Sequence, residues 1–307
     1  MQEKKKATHF VAKGYLKNFR TPHLWRGDLE KHLIKQVSLE RAAVLFYYYT
    51  LKTINPNYRN VVEDFFANEI EDPAVAILDK VVSSSFPPEL TEGQRLTLAA
   101  FMAFQKTRVP AFREMVEEFS SEVGTMSAKM LASHPEAFKR NVERFEKATG
   151  GKVEDPEAIR QEWLSETFRA VARPQVSLKL LLDVAPNLIQ PISNMHWSFL
   201  LSKNGAEFLT SDNPVVWHNP NANAILRHGL ATPEVEITFP LSSHLCLFCQ
   251  WEPKTQSQVV SNSVVDIVNM RMITWARRHV FTPSEKLASW AVTRRQEMER
   301  SVKTQER

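Results

Sequence analysis

His196-Trp197-Ser198-Phe199-Leu200-Leu201 opens the stretch that decides the fold. Ala206-Glu207-Phe208-Leu209-Thr210, Pro214-Val215-Val216-Trp217, Val235-Glu236-Ile237-Thr238-Phe239 and His244–Trp251 follow it. Each is short, rich in β-branched and aromatic residues, and bounded by Gly, Asn, Pro or Ser. That punctuation predicts an antiparallel meander between about Met195 and Trp251, the one region with a strand period.

Outward from it the period is helical. Residues 8–19 have the spacing of a short packed helix. Ser38-Leu39-Glu40-Arg41 resembles a capping box and predicts a helix over Ala42–Leu51. Asn55-Pro56-Asn57 reads as a turn, and residues 60–84 as a helical face that Pro73 divides in two. Thr91 opens the strongest helix, with a kink expected near Lys106 because of Pro110. Charged helices are expected at 135–148 and 155–172, and Pro186 punctuates the apolar stretch Val176–Ile189. Helix returns over Val264–Arg278 and Pro283–Arg300. Helices, then strands, then helices define an α+β fold: a predominantly helical body (8–190), a small antiparallel sheet (195–251) and C-terminal helices (260–302), in a single domain of 1–307.

The composition excludes several chemistries. The 307 residues include only 8 glycines, against 18 phenylalanines and 7 tryptophans, which favours a large core over glycine-rich cofactor loops. GxGxxG, GxxxxGK[ST], GxSxG and HExxH are all absent. Cys246 and Cys249 lie three apart in a strand-like run, so they face opposite ways and favour neither a disulfide nor a shared metal. No apolar stretch suits a signal or a membrane span, and a reducing cytoplasm is the expected location.

The net charge of +4 conceals an asymmetry. Residues 1–37 carry nine Lys/Arg against three Asp/Glu, and residues 271–307 nine against four. The body between them is acidic. Basic ends can form a patch for phosphate or nucleic acid, or can be solvated termini.

Four polar groups stand in apolar surroundings. His9 is a candidate acid, base or metal ligand. Gln105 and Arg108 share a helix face, and with Arg113 they suggest an anion clamp, since guanidinium matches phosphate bidentately. Glu63 and Glu71, eight apart, suit a metal site or a brace for Arg108. Ser211-Asp212-Asn213 forms either a tight turn or a ligand-holding corner at a strand end.

His9-Phe10-Val11-Ala12-Lys13-Gly14-Tyr15-Leu16-Lys17-Asn18-Phe19 resembles the opening of an uncharacterised bacterial family, domain of unknown function 4238, whose members begin His-(Tyr/Phe)-Val-Pro-Gln-x-Tyr-Leu-(Arg/Lys)-Asn-Phe. The likeness continues through Gln105…Arg108-Val109-Pro110…Arg113, then Thr210-Ser211-Asp212-Asn213-Pro214-Val215 with Phe239-Pro240-Leu241-Ser242, and a late helix with Asn269 and Ala276. It spans about residues 8–282. Ala12, Lys13 and Gly14 depart from it, whereas His9, Tyr15, Asn18 and Phe19 keep to it. The resemblance implies no particular reaction.

Three function classes follow. The first is a hydrolase acting on a phosphate-containing substrate, a nuclease in the first instance. Its catalytic residues would be His9, Arg108, Asp212 and Asn213. Gln105, Arg113, Tyr15, Asn18 and Ser211 would bind substrate, and Glu63 and Glu71 would hold Mg²⁺ or Mn²⁺. The second is a non-catalytic binding or regulatory protein in which the same residues form a buried brace. The third is a small-molecule enzyme with a pocket lined by Trp197, Phe199 and Trp217. The deciding observation is whether His9, Arg108 and Asp212 converge on one open pocket.

Overall fold

The computed structural model describes residues 7–46, 61–172, 174–203, 205–221, 229–253 and 255–305. The Asn55-Pro56-Asn57 turn, the end of the Ala42–Leu51 run, Arg173 and Arg307 lie outside them. The chain divides into two compact units, Met1–Phe112 with Leu181–Arg307, and Arg113–Leu180.

The N-terminal segment is built around strands as well as helical turns. β1 (Ala7–His9) leads to the short helix α1 (Lys13–Leu16), then to β2 (Leu24–Asp28), β3 (Leu33–Val37) and β4 (Val44–Phe46). The helix expected over Ala42–Leu51 is corrected here. Ser38-Leu39-Glu40-Arg41 forms a 3₁₀ turn, Ala43 takes a left-handed φ of 48°, and Val44–Phe46 pairs with β1. A residue in the left-handed region ends a helix start. Gly14 in α1 sits against Val75, and a Cβ there would meet Val75 Cγ2 at 2.7 Å, so this close approach fits only glycine without movement.

Helices then dominate. α2 (Val61–Phe65) continues through a π-helical stretch, Phe66–Glu71, into α3 (Asp72–Ser83). Pro73 occupies the first turn of α3, where its missing N–H costs nothing. In α4 (Glu92–Thr107) the Thr91 hydroxyl accepts the Gln94 N–H while the Gln94 side chain accepts the Thr91 N–H, a complete capping box. α4 ends at Thr107 and α5 (Pro110–Ala132) begins on Pro110, so the expected kink is a full break. α6 (Pro135–Thr149) and the short α7 (Pro156–Leu164) follow. α7 stops well before residue 172, because Ser165 returns to extended backbone. α8 (Pro174–Asn194) runs through both Pro186 and Pro191.

The C-terminal third holds β5 (His196–Ser202), β6 (Thr210–Ser211), β7 (Val216–His218), β8 (Glu236–Pro240), β9 (Leu245–Gln250), β10 (Gln258–Val260), α9 (Asn262–Trp275), β11 (His279–Thr282) and α10 (Glu285–Gln305). β7, β8 and β9 form the expected antiparallel meander, which β5 extends; β10 adds in parallel at the edge. The fold is α+β, but its strands extend beyond residues 195–251. A second sheet has the order β3-β2-β11-β6 and joins the two ends of the chain. The strand expected over Ala206–Thr210 shrinks to β6 and belongs to this second sheet. Cys246 and Cys249 are both buried and free, and burial pushes the Cys246 thiol up to about 12.

One face of the second sheet is closed by α10. A Cβ at Gly27 would meet Val280 at 2.9 Å and Val292 at 3.2 Å, and the Ala288 carbonyl is also near. Leu29, Val280, Ala291 and Val292 share a core cluster with Met272 and Ile273 of α9. The opposite face carries polar side chains. No helix among the described residues is long and apolar enough to cross a membrane.

Candidate functional site

Asp212 organises the open face of the second sheet from behind. It follows β6 and is almost fully buried. One carboxylate oxygen accepts the backbone N–H of Arg277 at 2.8 Å; the other accepts those of Arg278 at 2.8 Å and His279 at 2.7 Å. Its own N–H donates to the His279 carbonyl. Burial pushes the Asp212 carboxyl up to about 6, against the pull of the three N–H donors. Beside it, Asn213 donates its side-chain amide to the Trp275 carbonyl at 2.9 Å, and its backbone N–H donates to Ser211 Oγ at 3.1 Å. The Ser211-Asp212-Asn213 turn therefore fixes the point where α9 ends and β11 begins.

Strand register then gathers the charges. Arg26 and Asp28 alternate on one face of β2. Arg26 is opposite Lys35 of β3 and Phe281 of β11, and Asp28 is opposite Leu33 and His279. Arg26, Asp28, Lys31, Leu33, Lys35, Arg278 and His279 line a cleft of about 300 Å³. Four cations face a single carboxylate lining residue.

Arg278 grips that carboxylate, with Nη2 at 2.8 Å and Nε at 3.2 Å from Asp28 Oδ2. Burial raises the Asp28 carboxyl, but the Arg278 bonds and the Lys31 backbone N–H outweigh it and bring it down to about 2. Arg26 Nε is buried with no hydrogen-bond partner, and burial lowers its affinity for the proton. His279 lies between two carboxylates, its Nε2 at 3.6 Å from Asp28 and its Nδ1 at 3.9 Å from Asp212. Both distances exceed hydrogen-bond length. Burial first, and then the Arg26 charge, lower its pKa to about 4, so the imidazole is neutral at pH 7.

The other residues singled out from sequence lie elsewhere. His9 Nε2 lies 3.1 Å from the Leu39 carbonyl, at the β1–β4 pair. Arg108 is fully buried and donates to Glu71 Oε1 at 2.5 Å and Gln105 Oε1 at 2.7 Å. Gln105 also donates to the Phe10 carbonyl and accepts the Ala12 N–H, tying α4 to the N-terminal segment. Tyr15 donates its hydroxyl to the Pro240 carbonyl at 2.6 Å and lies 2.7 Å from Thr210 Oγ1, stacked on Phe239. Asn18 donates to the Leu241 carbonyl. Arg113 pairs with Glu117 in the other unit. Glu63 stands on α2 and Glu71 is turned to Arg108; no group of three His, Cys, Asp or Glu side chains with metal-holding geometry occurs among the described residues. Trp197 donates its indole N–H to the Ile192 carbonyl beneath Arg95, whereas Trp217 lies beside Lys106. None of His9, Arg108 and Asp212 lines the cleft, and Arg108 and Asp212 are both buried.

Sequence reading missed Arg26, Asp28, Lys31, Lys35, Arg278 and His279 as individuals. Its signal for them was the charge bias of the two chain ends, which β2 and β11 bring side by side.

Fold and site together define an α+β protein with a basic cleft at the seam of its two chain ends. The chain belongs to the family described as Protein of unknown function (DUF4238), which it matches over residues 8–286. No curated protein and no solved structure matches it.

Proposed function

We propose that the cleft between β2, β3 and β11 binds a phosphate-bearing ligand and that the protein is a hydrolase acting on it, a nuclease being the first case to test. The carrying observation is the strand register that puts Arg26, Lys35 and His279 on one open face, with Arg278, just before β11, lining the same cleft. Guanidinium and ammonium groups around one cleft suit phosphate oxygens, and a buried guanidinium nitrogen without a partner suits an incoming acceptor. In this reading Arg26, Lys31, Lys35 and Arg278 hold the anion. The neutral His279 imidazole, its proton affinity raised by the bound anion, takes a proton from the water whose oxygen bonds to phosphorus. The bond from phosphorus to the leaving oxygen breaks, and the imidazolium returns the proton to that oxygen. Asp212 acts indirectly, by holding the backbone of residues 277–279. The two buried, free thiols are compatible with a reducing cytoplasm.

A second reading is a binding or regulatory protein without turnover. It is favoured by the burial of Arg108 and Asp212 in internal hydrogen bonds, as a brace requires. One experiment separates the two. Purified protein is offered RNA, DNA, nucleotides and pyrophosphate, with and without Mg²⁺ or Mn²⁺, and both binding and product are measured. Turnover lost in His279→Gln and Arg26→Gln supports the hydrolase. Binding without product supports the second reading. Neither binding nor product overturns both.

A further inference from the structure

We infer that the outer face of α5 is a self-association surface that pairs with the same face of a second copy in antiparallel orientation. Five apolar side chains stand out from this helix, Met115 near its start and then four in a row along it: Phe119 is 64% exposed, Val123 46%, Met126 68% and Met130 70%. The spacing of these last four, at four, three and four residues, is that of the a and d positions of a heptad, which makes one continuous stripe. A different face of α5 is already engaged within its own unit. Ser121 and Thr125 accept the N–H groups of Ala172 and Ala170, and Gly124 lies against Ala170.

The charges flanking the stripe favour a second copy as the occupant. Glu122 and Lys129 are one heptad apart, both at the position preceding an a residue, with Ser120 and Ser127 on the other flank. In an antiparallel pair such positions face each other. Glu122 then meets Lys129 of the second copy, and Lys129 meets its Glu122, around a two-fold axis that passes between Val123 and Met126. In the same register Phe119 layers on Met130, and Val123 on Met126. A parallel pair would bring Glu122 to Ser127 of the second copy and Lys129 past the end of the partner helix at Ala132, so neither charge would be matched. The stripe is thus complementary to itself, as an isologous interface must be. It is also short. From Phe119 to Met130 it spans about 17 Å of helix, less than the ~800 Å² per partner of a standard interface needs. The dimer is accordingly weak and depends on concentration.

Sedimentation equilibrium of the full chain tests this. The average mass should rise from the 35.3 kDa of one chain towards twice that value as concentration increases. Met126→Glu should abolish the rise with an unchanged circular dichroism spectrum, since the side chain is exposed. Glu122→Lys and Lys129→Glu should each weaken association roughly tenfold by opposing like charges. An equimolar mixture of those two variants should restore it, because one chain then carries two lysines and the other two glutamates. A wild-type chain that stays monomeric at its solubility limit, an association that Met126→Glu leaves intact, or a mixture no stronger than its components would each overturn the inference.

Discussion

The buried carboxylate of Asp212 holds the backbone N–H of Arg278 at 2.8 Å, while the Arg278 side chain reaches the opposite way to Asp28. One aspartate therefore fixes where Arg278 begins and another fixes where its guanidinium ends. The first lies outside the cleft and the second lines it, so cleft geometry depends on a residue that no ligand need touch.

Asp212→Asn should expose that dependence. One oxygen is replaced by an amide that cannot accept, so at least one of the three backbone donors loses its partner. Hydrogen bonds to charged groups contribute about 1.5–3 kcal/mol each, so a loss of roughly 3 kcal/mol in urea unfolding is expected. Anion binding should weaken as well, because residues 277–279 relax. A variant of full stability and full affinity would show that the three bonds carry no weight.

Arg26 should behave in the opposite way. Its Nε is buried with no hydrogen-bond partner in the protein, so Arg26→Met removes a desolvated charge and leaves no internal acceptor stranded. Thermal unfolding should stay near wild type or rise, while calorimetry with pyrophosphate should show binding weakened by about tenfold or more, for the loss of one charge-assisted contact. Wild-type affinity in this variant would remove the cleft from consideration as the anion site.

The sequence was readable where one period prevailed. β5, β8 and β9 announce themselves as short β-rich runs bounded by turn residues, and the structure buries them on both faces. The β2–β3 hairpin does not, because Trp25-Arg26-Gly27-Asp28 and Leu33–Val37 show one face to solvent and offer little apolar contrast. Leu39–Arg41 satisfies the capping pattern locally, and the left-handed Ala43 overrides it. The site follows the same logic. Asp212 was visible as a polar residue between apolar strands, and the basic ends as a charge bias. Their meeting depends on β2 pairing with β11 across about 250 residues, a contact that no local pattern encodes.

Arg108 tests the brace. Its guanidinium is fully buried against Glu71 and Gln105, so Arg108→Ala leaves Glu71 uncompensated at the edge of the core. Breaking a buried pair from one side typically costs about 3–5 kcal/mol, and a loss of that size is expected in denaturant unfolding. Replacing both partners, as Arg108→Met with Glu71→Leu, should recover much of it, since apolar packing substitutes for a desolvated pair. If Arg108→Ala unfolded like wild type, Arg108 would be no brace, and a direct role in ligand binding would become the better reading.

His279 supplies the pH test. Its folded pKa, about 4, lies below the 6.5 of an ordinary histidine. Between these values the unfolded chain binds a proton that the folded chain refuses, so the His279 contribution is lost as pH drops from about 6.5 towards 4. That contribution is on the order of 2 kcal/mol once screening at the open side of the cleft is allowed for. Asp212, whose folded value of about 6 lies above the ordinary 3.8, contributes in the opposite sense over nearly the same range. Asp28 acts lower: its folded value of about 2 lies beneath the ordinary 3.8, so its stabilisation is present above that range and is lost only as pH falls through about 2. The His279 and Asp28 windows barely overlap. His279→Gln should leave the Asp212 contribution unopposed, so that stability rises as pH drops from about 6 towards 4 where the wild type stays nearly level, while the loss nearer pH 2 remains. Titration of the imidazole by NMR should give a midpoint near 4 in the free protein, rising when pyrophosphate binds, because a bound anion favours the imidazolium. A midpoint near 6.5 that pyrophosphate leaves unmoved would mean that the imidazole is solvated and remote from the anion, and His279 could then not serve as the base in that cleft.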